Sequence, residues 1–62
     1  MNLFDLEKKL TSYTAAQYNC CNMAVRELYK NGFDVEAVKP ILRVDADKIR
    51  MFDRELYDWI TS

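Results

Sequence analysis

From Leu3 to Leu28, apolar side chains return at steps of three, four or seven: Leu3, Leu6, Leu10, Tyr13, Cys20, Ala24 and Leu28. That spacing puts them on one stripe of an α-helix. Asn2 suits the start as an N-cap. Asn31-Gly32 suits the stop, because glycine accepts the left-handed backbone after a last helical turn, and Phe33 can fold back on it. Thr11 and Ser12 also suit N-caps, so the span 3–31 reads as one long helix or as two. A shorter element follows at 34–42. Asp34 is a good N-cap, and Val35, Val38, Ile41 and Leu42 recur at helical spacing. Pro40 lies inside it, where an interior proline costs about 3 kcal/mol. The element is therefore short and kinked, or it starts late with Pro40 in its first turn. The clearest start belongs to a third element at 46–60. Asp45 is placed to cap it, Val44 and Ile49 to form a hydrophobic staple, and Asp47 to meet the positive end of the helix dipole. Ile49, Phe52, Leu56, Trp59 and Ile60 line one face. Arg50, Asp53, Arg54 and Asp58 fall mostly on the other, where Arg50–Asp53 and Arg54–Asp58 have the spacing of favourable pairs.

Composition sharpens this picture. A chain of 62 residues makes one domain, here 1–62, with a modest core. Half of the residues are apolar, which argues against disorder. One Gly and one Pro are too few for a chain of tight turns. The expected fold class is all-α, a small domain of three or four helices. Leu10–Val25 carries no charge, and Tyr13, Tyr18, Cys20 and Met23 spread around most of its circumference. Such a segment is covered on more than one side, as a central core helix or as a self-association surface.

In the second half, Leu28-Tyr29-Lys30-Asn31-Gly32, then Val38, then Ile41-Leu42-Arg43-Val44-Asp45, then Ile49 stand in a familiar register. The stretch 28–52 resembles the helix-turn-helix of resolvases, transposases and phage regulators. On that resemblance Val38, Leu42, Val44 and Ile49 take core positions and Asp45 takes the serine cap. Lys39 stands where the family has a small residue, Arg43 where it has a turn glycine, and Asp47 where it often presents a polar or basic group. The resemblance implies a helix-turn-helix pair in the C-terminal half, with the start of its second helix in a DNA groove. Ala46, Asp47 and Arg50 would then face base edges, with Arg54 further along the groove, and Lys39, Arg43 and Lys48 would be near phosphates.

Charge pulls the other way. The net charge is −1, and residues 32–62 hold seven acidic groups against five basic. Such a balance gives no general attraction to DNA or to an acidic membrane. Chemistry is not expected. There is no histidine, and the adjacent thiols Cys20 and Cys21 lack a partner base and the ligand spacing of a zinc site. No catalytic residue, metal, cofactor or small-molecule substrate is expected. Cys20 and Cys21 read as reduced thiols of a cytoplasmic protein. Lys8 and Lys9 interrupt any signal peptide, and no apolar run is long enough to span a membrane. Tyr57 and Trp59 are candidate anchors for a partner.

Two functional readings follow. One is a small DNA-binding transcriptional regulator of phage or mobile-element type, acting as a homodimer. The other is a helical adaptor or inhibitor of a host protein that uses the same scaffold without binding DNA.

Overall fold

Local hydrogen bonding decides where the first segment breaks. The computed structural model, which describes residues 1–62, divides it into α1 (Leu3–Ala15) and α2 (Asn19–Lys30). Asn2 caps α1 by accepting from the Asp5 amide at 2.8 Å. Thr11 does not interrupt the helix, because its hydroxyl donates to the Glu7 carbonyl at 2.6 Å and stays within the helical ladder. The break comes at Gln17, whose φ is +70°. The Tyr18 amide then donates back to the Tyr13 carbonyl at 3.0 Å. Gly32 ends α2 in the same way: its φ is +65°, and the Phe33 amide donates to the Leu28 carbonyl at 2.8 Å. Both helices thus close with the same left-handed cap.

After α2 a 3-10 turn, Val35–Val38, is capped by Asp34, which accepts from the Glu36 amide at 3.1 Å. It runs directly into α3 (Lys39–Arg43). Pro40 falls in the first turn of α3, where its missing N–H has no partner to lose. Of the two expected solutions for Pro40, the late start is the one adopted.

The third element departs from its expected form. It is two short helices, α4 (Ala46–Phe52) and α5 (Arg54–Ile60), instead of one helix over 46–60. Asp53 separates them in an extended conformation and caps α5 by accepting from the Leu56 amide at 2.9 Å. The start of α4 also differs. The Asp45 side chain makes no capping bond, because its φ of −113° and ψ of +31° lie outside the extended region a capping residue needs. Val44 is 83 % exposed, so it neither staples α4 nor joins the core. Arg43 has a negative φ: only Gln17, Gly32 and Phe33 lie in the left-handed region. The turn between α3 and α4 therefore lacks the left-handed residue that a helix-turn-helix takes from its glycine.

The result is an all-α domain without strands. α2 is central and packs on α1, on the 3-10 turn and on α3, while α5 packs on α3 and α4. The core joins Leu6 and Leu10 of α1 and Cys21, Ala24 and Leu28 of α2 to Val38, Leu42, Ile49, Leu56 and Ile60. No helix is long and apolar enough to cross a membrane.

Candidate functional site

Three regions of the surface bear on function. The first is a groove of about 400 Å³ between α2 and α3. Cys20 and Met23 form one wall, and Pro40, Ile41 and Val44 form the other. Asn19 and Asp45 stand at its rim. The groove exists because Val44, sited for the core on the family register, turns out to solvent beside Met23, which is 62 % exposed. Cys20 and Cys21 are both free and buried, with their sulfurs 3.9 Å apart. Burial first, and then the neighbouring Cys20, push the Cys21 thiol up to about 12. Cys21 is therefore protonated at neutral pH and inert as a nucleophile.

The second region surrounds Asp53. Its side chain is 6 % exposed and sits between α1 and α5. Lys9 Nζ donates to it at 2.7 Å, the Tyr13 hydroxyl donates to the same oxygen, and the Leu56 amide donates to the other. Glu55 adds a weaker contact to Lys9 at 3.6 Å. Burial acts to raise the Asp53 carboxyl, but the hydrogen bonds from Lys9, Tyr13 and Leu56 outweigh it and hold it below its ordinary range. The hydrogen bond from Lys9 to Asp53 raises the lysine. Burial, followed by the bond to Asp53, raises Tyr13. Both oxygens of this buried carboxylate accept from donors of its own fold, which makes it a tie between helices.

The third region holds the basic side chains assigned to DNA. Lys39 and Arg43 are engaged within the fold. Lys39 Nζ lies 3.4 Å from Glu36 and 4.9 Å from the Trp59 ring centre. Arg43 Nε donates to the Ile60 carbonyl at 2.6 Å. Together they clamp α5 onto α3. Arg50 and Arg54 both lie over the Tyr57 ring, at 5.8 and 5.7 Å, and Arg54 also pairs with Asp58 at 3.2 Å. Arg50 does not pair with Asp53, because Asp53 turns inward to Lys9. Lys48 and Asp47 are exposed and Ala46 is half-buried on α4.

Of the six candidate interface residues, five are occupied internally. Tyr18 stacks on Phe52 with ring centres 4.2 Å apart, and Tyr13 meets the same ring edge-on at 4.8 Å. Cys20 belongs to the core, Trp59 lies under Lys39, and Tyr57 lies under the two arginines. Met23 alone projects freely. Sequence reasoning missed Asp53 and the outward turn of Val44. A signal for Asp53 was present: it is a good capping residue, with Phe52 before it and Tyr57 four residues on at the positions of a hydrophobic staple. No protein-family model matches the chain, and no curated protein or solved structure shows significant similarity to it.

Proposed function

We propose that the chain is a non-catalytic helical protein-binding module, an adaptor or inhibitor, that docks a protein in the groove between α2 and α3. The observation that carries this reading is the outward pair Met23 and Val44 above an apolar floor. Exposed apolar surface gathered in one concavity marks a contact site far more often than scattered exposed residues do. The internal use of Lys39 and Arg43 also supports it, since a DNA reader would need those cations free. The test is a photo-crosslinking side chain at position 44, with position 48 as control, in living cells of the native host. Protein adducts at 44 and none at 48 are expected. Adducts at 48 alone would sink the reading.

A DNA-binding regulator of helix-turn-helix type is the second reading. It rests on Lys48 and Arg50, which have no acidic partner in the fold and stand on the exposed side of α4. Its mark would be binding to mixed duplex DNA that weakens steeply with salt and is lost in Arg50→Ala plus Arg54→Ala. Binding that is absent at low salt would remove it.

A further inference from the structure

The exposed face of α2 carries Asn19, Met23 and Arg26 at helical spacing. Met23 is apolar and projects freely beside the groove. Arg26 is exposed and has no acidic partner in the fold. The groove offers the opposite set: an apolar floor and a single charge, Asp45, at its rim. The Asp45 carboxylate caps nothing and pairs with nothing. Arg43, two residues before it, is held by the Ile60 carbonyl and makes no pair with Asp45. The groove therefore calls for an apolar side chain followed by a cation about one helical turn away. That is the order of Met23 and Arg26 on α2 itself.

We infer that a second copy of this chain fills the groove in an isologous dimer, an inference that rests on reading the groove as a protein-docking surface. Two α2 helices cross antiparallel at Met23. A helix rises about 1.5 Å per residue, so Arg26 and Cys20 lie about 4.5 Å from Met23 in opposite directions along the axis. An antiparallel crossing sets Arg26 of each copy beside Cys20 of the other, which shares the groove with Asp45. The two-fold repeats the pair, so each dimer gains two Arg26–Asp45 contacts and buries both Met23 side chains. A standard interface takes about 800 Å² from each partner. That is about a fifth of this chain's 4079 Å² surface.

Sedimentation equilibrium tests it, with circular dichroism to confirm that each variant folds. The wild type is expected to dimerise with rising concentration. Arg26→Glu and Asp45→Arg should each weaken the dimer by about tenfold or more, as close interfacial charge pairs do. Combining the two substitutions in one chain restores opposite charges across the two-fold and should recover dimerisation. Met23→Glu should give a folded monomer. A wild type that stays monomeric at millimolar concentration overturns the inference, and so does a combined variant no tighter than the single ones. Crosslinks from position 44 separate the two levels. Foreign adducts only, from a monomeric chain, remove the second copy but leave the docking surface. A dimer with no adduct at 44 removes both.

Discussion

Asp53 shows how much a single side chain can organise here. It caps α5, binds Lys9 and Tyr13 of α1, and divides the C-terminal segment. Removing a partner from a buried ion pair costs about 3–5 kcal/mol, and losing a cap adds about 1. Lys9 keeps a quarter of its side chain in water, so the lower end applies. Asp53→Ala should lower the unfolding free energy by about 3 kcal/mol, read from urea titration. Asp53→Asn keeps an oxygen for the Leu56 amide and should cost about half as much. The same cluster fixes the pH profile. The Asp53 carboxyl lies below its ordinary 3.8 in the folded state, so its contribution is complete above that value and is lost as pH falls through the folded pKa. Lys9 is raised above 10.5 and Tyr13 above 10.0, so folding favours their protonated forms. Their contribution is complete below those values and fades as pH rises beyond them. Thermal melts followed by circular dichroism should show a plateau between about pH 5 and 9, falling at both ends. In Asp53→Asn the acid limb should flatten. The Asp53 cap was legible as a residue type in the sequence, but its inward direction was not. Nothing local tells a carboxylate that a lysine from a distant helix will arrive.

Helix termini carry the next level of specification. Gly32 has nothing within 4 Å of where a Cβ would stand, so Gly32→Ala meets no steric obstacle. It still meets the left-handed backbone, and it should lower stability by about 1 kcal/mol in urea titration. Gln17 takes the same conformation with an ordinary side chain. Gln17→Gly should therefore raise the melting temperature, by relieving about 1 kcal/mol of strain. No shift, or a fall, would show that loss of chain entropy in the unfolded state outweighs the relief. These two caps explain why one helix end was plain in the sequence and the other was not. Asn31-Gly32 announces a stop, whereas Ala16-Gln17-Tyr18 carries no conformational signature, although the Tyr18 amide closes α1 with the same bond. The span 46–60 teaches the same lesson in reverse. Its apolar period of three and four runs on across Asp53, because α4 and α5 both bury one face against the same core.

Taken whole, the chain exposes 4079 Å². A monomer of this mass is expected to expose about 4200 Å². The fold therefore covers as much of itself as a self-sufficient domain does. It should unfold in one transition worth about 3–9 kcal/mol, at a midpoint that Met23→Glu leaves unchanged in dilute solution. A midpoint in the wild type that drifts with dilution over the whole measurable range would mean that folding and association are one event. Hydrophobic period and residue type settled the all-α class. They also placed most of the core, from Leu6 and Leu10 to Leu56 and Ile60. These follow from short-range geometry, because side chains three or four apart must share a face. The outward turn of Val44, the inward turn of Asp53 and the capture of Lys39 and Arg43 by α5 arise from contacts between segments far apart in the chain. Those contacts exist only after the helices have packed, and they decide which surface of the molecule is left open to a partner.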